Sequence, residues 1–117
     1  MDQMINELAN WLENGKGHTV MIQKREIQQG DVIDLDSVQL QLEDVSVRKI
    51  EAPDPDGYLA KSEIILHGNG EIKTDRGQMP LPQNTYEIPL FGRFESAVTD
   101  NGLQVKTEKS IYDLYKQ

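Results

Sequence analysis

The sequence predicts an α+β domain that is mainly antiparallel β: an N-terminal amphipathic helix, then about seven or eight short strands in a bent sheet or small closed barrel. Three observations carry that expectation. Two β-prone runs flank Gly68-Asn69-Gly70, residues that accept the positive φ of tight hairpin turns. Residues 94–99 and 103–107 flank Asp100-Asn101-Gly102 in the same manner. A sustained helical periodicity marks the N-terminus, after which turn signals recur about every dozen residues. The 117 residues suit one domain, 1–117, with a helix over 2–14, a β-rich body over 18–109 and a short strand or helical turn over 110–115.

In the helix, Met4, Ile5, Leu8, Trp11 and Leu12 share one face. Asp2 is placed to cap the start, and Asn14-Gly15 is a natural stop because both residues tolerate the left-handed conformation. Trp11, the single tryptophan, is expected to anchor the helix on the sheet. The sharper alternative makes Ile5, Leu8 and Trp11 a contact for a partner or a second copy, since a terminal helix is easily exchanged.

Residues 18–27 read as the first strand, with Val20 and Ile22 alternating against Thr19, Met21 and Gln23. Residues 28–31 read as a turn, and Val32-Ile33 as the start of a short second strand. A longer strand is expected over 37–50. Val38, Leu40 and Leu42 face one way, but beyond Asp44 the apolar phase passes to Val45 and Val47. Such a one-residue slip is the mark of a β-bulge, which bends a sheet toward closure. Residues 52–57, rich in proline, aspartate and glycine, form a loop and not a linker, because neither side is large enough to fold alone. The hairpin across residues 68–70 follows. Alternating prolines at 80 and 82 point to an edge or an extended loop over 79–84. Tyr86, Ile88 and Leu90 make an edge-like strand, and 94–107 the last hairpin. The tail is ambiguous: Tyr112 and Leu114 alternate, yet Ile111, Leu114 and Tyr115 have helical spacing. No fixed repeat and no low-complexity segment is present.

Hydrophobic residues at 37% and charged residues at 27% fit a folded chain, and aromatics at 6% require an aliphatic core. No apolar run approaches the length of about 18 residues that a membrane-spanning helix needs. No basic start with an apolar block marks a secretory signal. The chain has no cysteine, so disulfide and thiolate chemistry are absent and a reducing cytoplasm is the expected compartment. Of the net charge of −8, most lies in residues 1–57, with twelve acidic and five basic residues against eight and seven in 58–117. This weighs against nucleic acid and against an anionic membrane surface, both of which need clustered lysine and arginine. A basic protein surface suits it better, although charge of this kind also serves solubility alone.

No catalytic motif stands out. Asp54-Pro55-Asp56-Gly57 is a fragment of a calcium loop that lacks the leading aspartate pair and the terminal glutamate. Glycosidase-type carboxylates would need aromatic platforms that seven aromatics, mostly required in the core, do not supply. His18 and His67 belong to no metal-ligand spacing, and no nucleophile elbow accompanies them. The glycines at 68 and 70 are followed by a β-like run opening with Glu71, unlike a phosphate-binding loop. The expectation is therefore a non-enzymatic domain, without metal or cofactor, that meets a basic protein surface. Its acidic face comprises Asp31, Asp34, Asp36, Glu43, Asp44, Asp54 and Asp56. It is a monomer or homodimer. The alternatives are a small barrel around an apolar ligand, opposed by inward Val, Ile and Leu, and a self-associating structural protein.

Overall fold

The computed structural model describes residues 2–28, 31–49, 62–74, 76–90, 94–100 and 102–116, with side chains for all of these except 2–4, 28 and 31–34. Helix α1 (Asp2–Glu13) is followed by β1 (Thr19–Gln28), β2 (Asp31–Gln41), β3 (Asp44–Lys49), β4 (Ser62–His67) and β5 (Gly70–Thr74). Then come β6 (Gly77–Pro80), a 3-10 turn (Pro82–Asn84), β7 (Thr85–Leu90), β8 (Glu95–Val98), β9 (Gly102–Lys106) and β10 (Ser110–Lys116). A seven-stranded sheet has the order β6-β5-β2-β1-β10-β9-β8, and a three-stranded sheet the order β3-β4-β7. Every pairing between these strands is antiparallel. The fold is thus α+β and mainly antiparallel, as the sequence predicts. A closed barrel is not found; the bent sheet is.

The two sheets are joined by a shared corner. The runs 31–49, 62–74 and 77–90 each supply one strand to either sheet and bend between them. Hydrogen bonds carry the ladder through the bend: Gln41 N–H donates to Asn69 O at 2.8 Å, Glu43 N–H to His67 O at 2.8 Å, and Gly68 N–H to Asn84 O at 2.8 Å. Ten strands among the described residues therefore come from seven runs of chain, which reconciles them with the expected number.

Two expectations are corrected at this corner. The residues flanking Gly68-Asn69-Gly70 do not form a hairpin, because β4 and β5 belong to different sheets; His67 pairs with Asp44 on one side and Thr85 on the other. The glycines serve close approach instead. A Cβ at Gly68 would lie 1.8 Å from Gln41 O, and one at Gly70 would lie 2.3 Å from Gln39 O. Nor is 37–50 one bulged strand. Strand β2 already begins at Asp31, and the phase slip marks the corner at Leu42-Glu43, where the chain leaves one sheet for the other. The register shift of the β1–β2 ladder falls at Glu26/Ile27.

Other elements follow the sequence closely. The β8–β9 pairing closes the last hairpin, and β6 and β7 are edge strands, β6 ending at Pro80 and β7 containing Pro89. The ambiguous tail is strand β10, held between β1 and β9 in the interior of the large sheet, where pairing on both sides overrides the helical spacing. The helix ends at Glu13, and the left-handed residue after it is Gly17 (φ 85°), not Asn14 or Gly15.

One apolar row crosses the concave face of the whole large sheet: Met79, Ile72, Val38, Ile22, Leu114, Leu103 and Val98 stand side by side in register. Its centre is sealed by Ile64, Leu66, Ile88 and Leu90 of the small sheet, while its ends remain open, with Met79 58% and Val98 68% exposed. Helix α1 lies against β3 and β8, an edge strand of each sheet, and closes the side they leave open. Leu8 and Leu12 are fully buried there and Ile5 nearly so. Burying each leucine contributes roughly 1.5–3 kcal/mol. Trp11 packs against the core with Lys116 Nζ 4.7 Å from its ring centroid, a cation–π contact.

Candidate binding cleft between the sheets

Strands β1 and β2 are longer than the small sheet can cover. Alternation sends Val20, Ile22, Lys24 and Glu26 to the concave face of β1, and Asp36, Val38 and Leu40 to that of β2. Because the strands are antiparallel, both polar pairs fall at the same end: Lys24 stands opposite Asp36 and Glu26 opposite Asp34. Tyr112 of β10 is the neighbour of Lys24 on the other side. Tyr86 of β7 approaches from the small sheet, on the same face as Ile88 and Leu90.

Between these elements lies a cleft of about 350 Å³. Lys24 and Asp36 bring charge to it, Tyr86 a hydroxyl, Gln83 an amide, and Ile72, Leu81 and Pro82 an apolar wall, with Thr85 and Glu87 on either side of Tyr86 along the strand. Lys24 is held to one side, its Nζ 3.0 Å from Glu26 Oε1 and 5.9 Å from the Tyr112 ring centroid. Burial works against the ammonium charge, but Tyr112, Glu26 and Asp36 outweigh it and raise the Lys24 pKa above its ordinary value. Burial also pushes Tyr86 far above the usual phenol range, reinforced by Tyr112, Asp36 and Glu26. Tyr112 rises for the same first reason, with Lys24 and Ser110 pulling partly back. Both hydroxyls are therefore neutral at physiological pH and offer hydrogen bonds.

The acidic residues expected to form one face are divided by the structure. Asp36 stands at the cleft end of the concave face; Asp34 is paired opposite Glu26 in the same strand, and Asp31 begins that strand opposite Gln28. Glu43 and Asp44 sit at the corner, the other end of β2. There Lys16 Nζ lies 2.6 Å from Glu13 and 3.1 Å from Asp44. The Val45 N–H and then Lys16 hold the Asp44 carboxyl below its ordinary value. Asp54 and Asp56 lie outside the described residues. Ile5 and Leu8 are spent on the core, and Trp11 is half-covered beside them.

Three other polar groupings occur on the outer faces. Ser46 Oγ and His67 Nε2 are 2.9 Å apart on exposed strand surface, and Asp44 stands opposite His67, but the Asp44 carboxylate is engaged by Val45 and Lys16. On the same face the nearly buried Glu63 is answered by Arg48 across the strand pair. On the large sheet, Asp113 receives Arg25 at 2.8 Å and Gln104 at 2.9 Å. Among the described residues, no three of His, Asp and Glu gather as a metal site. No described helix is long and apolar enough to cross a membrane.

Sequence reasoning missed Lys24, Glu26, Tyr86 and Tyr112. The available signal was parity: the inward positions of β1 pass from apolar to charged at Lys24, as those of β2 do, read backwards, at Asp36.

The architecture defines a helix-closed, sharply bent β domain with a half-buried charged cleft where the large sheet outruns the small one. All of residues 1–117 match the family of YmzB-like proteins, and the chain belongs to that family. It is 40% identical over 109 residues to a Bacillus subtilis (strain 168) protein described as uncharacterized protein YmzB, covering 92% of this chain and 91% of that one. No solved structure matches.

Proposed function

We propose that this protein is a non-enzymatic binding domain that captures a protein partner of basic chemistry at the cleft end of its large sheet. The observation that carries the reading is the setting of Lys24: one ammonium meets two carboxylates, Glu26 and Asp36, at a half-buried cleft. Carboxylates at such a place act through less solvent than on an open surface, so they attract and orient a basic group more strongly. The net charge of −8 adds long-range attraction of the same sign and weighs against nucleic acid and anionic lipid. A chain without cysteine suits a reducing cytoplasm.

An apolar small ligand is the weaker reading, because Val20, Ile22, Leu40, Leu66, Ile88 and Leu114 already fill the interior between the sheets. Self-association through α1 is weaker too, since it would have to draw Leu8 and Leu12 out of the core.

Selection from a random displayed-peptide library tests the proposal. Bound sequences should be enriched in lysine and arginine and should dissociate as salt is raised. Neutral or acidic binders, or binding indifferent to salt, would remove the reading.

A further inference from the structure

We infer that strand β8 pairs with β8 of a second copy of this chain, antiparallel about a two-fold axis at Ala97, so that two large sheets become one. The cleft lies toward the opposite edge of the sheet and stays free, and the inference does not rest on the binding reading above.

The hydrogen-bond phase of the last hairpin fixes which groups of β8 face outward. Thr99 N–H donates to Gly102 O at 2.7 Å and Gly102 N–H to Thr99 O at 3.4 Å, so these residues form a bonded pair. Bonded and non-bonded pairs alternate along an antiparallel ladder. Ala97 with Gln104 and Glu95 with Lys106 are therefore bonded, whereas Ser96 and Val98 turn their N–H and C=O away from β9. Among the described residues no strand pairs with them on that side. Such an edge is a template for another strand unless proline, charge or a cover blunts it. The other edges carry these devices. Leu81 N–H donates to Gly70 O, which by the same alternation sets Gln78 and Pro80 outward on β6, and proline has no donor to offer. Strand β7 contains Glu87 and Pro89, and α1 lies against β3. Helix α1 touches β8 as well, yet Glu95, Ala97 and Val98 stay exposed, Val98 by 68%.

A second copy fits this edge because its outward groups are symmetric about Ala97. The two-fold sets Ser96 opposite Val98 of the other copy, and each such pair exchanges both backbone bonds. Ala97 then meets Ala97 in a non-bonded pair, where the Cα atoms stand about 4.5 Å apart and a small side chain suits. Glu95 falls opposite Thr99, so like charges do not face each other, and its neighbour on β9 is Lys106. Val98, at the open end of the apolar row, gains cover from the added strand. The half of the chain that supplies β8, residues 58–117, is nearly neutral, with eight acidic and seven basic residues.

Sedimentation equilibrium of the full chain tests the inference. Two short strands make a small interface, so the dimer should dissociate at about 0.1 mM. Each copy carries −8, and screening that repulsion should tighten the dimer about threefold between about 0.05 and 0.5 M salt, opposite to the trend for a basic partner. Ala97→Glu and Ala97→Lys each place like charges at the two-fold and should weaken association about tenfold or more, while an equal mixture of the two should recover it. Ser96→Pro removes an outward donor without touching the ladder to β9 and should also give monomer; Gln78→Pro on the far edge should leave the dimer unchanged. Circular dichroism confirms that each variant is folded. An unaltered chain that stays monomeric up to about 1 mM would overturn the inference. So would a dimer that survives both charge variants, or a mixture of them that fails to associate.

Discussion

Gly68 is pressed so closely against Gln41 that a methyl group on its α-carbon would sit 1.8 Å from the Gln41 carbonyl oxygen. This contact lies where the three bent runs cross from one sheet to the other, so relief would have to come from backbone. Gly68→Ala should cost about 3 kcal/mol or more, because the clash is with main chain and not with a flexible side chain. Gly17→Ala, where nothing lies within 4 Å, should cost only about 1 kcal/mol, the penalty of its positive φ. Urea unfolding of the two variants checks the difference; equal losses would mean that the corner is looser than the distance implies.

Leu8 anchors the helix that closes the open side of the sheets. Leu8→Ala should destabilise the domain by about 2–5 kcal/mol through lost burial and a residual cavity. Trp11 fluorescence follows the transition, since the indole packs on the same core. A change below about 1 kcal/mol would mean the helix is not integral to the fold.

Gln83 holds a left-handed conformation, φ 55° and ψ 20°, followed by Asn84 at φ 55°. Asparagine tolerates this region better than glutamine, which gains nothing from it. Gln83→Gly should therefore raise stability by up to about 1 kcal/mol, less whatever glycine adds to unfolded-chain entropy. A lower thermal midpoint would show that the Gln83 side chain contributes more than its backbone strain costs.

The tyrosines set the alkaline limit. Tyr86 and Tyr112 have folded pKa values raised above the ordinary value of 10.0, so the native state prefers their neutral form. Their contribution is complete below the unfolded pKa and is lost as pH rises from there through the folded pKa; Lys24, raised above 10.5, runs in the same direction. Stability from this cluster should hold through neutral pH and fall above about pH 10. Tyr86→Phe should flatten the fall. Absorbance titration of phenolate provides the check: normal ionisation of all four tyrosines in the folded protein would contradict the burial.

Alternation and turn residues made much of the fold legible. Helix α1 was readable because Ile5, Leu8 and Leu12 recur at helical spacing, and the β8–β9 hairpin because Asp100-Asn101-Gly102 separates two strand-like runs. Both depend on interactions within a few residues. The Gly68 region used the same residue types for a different end, and its meaning rested on Gln41 and Asn84, which are distant in sequence. The slip at Asp44 was visible too, but a bulge and a corner leave the same trace in a single strand.

Local sequence determined which residues point inward, since side-chain alternation follows from backbone geometry alone. It could not say which strand lies beside which, or how far the second sheet reaches, because those depend on long-range pairing and on what covers each position. Inward parity thus led Val20 and Ile22 into the core and carried Lys24 and Glu26 past it. Only the tertiary structure decided that Asp36, Tyr86 and Tyr112 would meet Lys24 there: an antiparallel register aligned the charged ends of β1 and β2, and a shorter sheet left them uncovered.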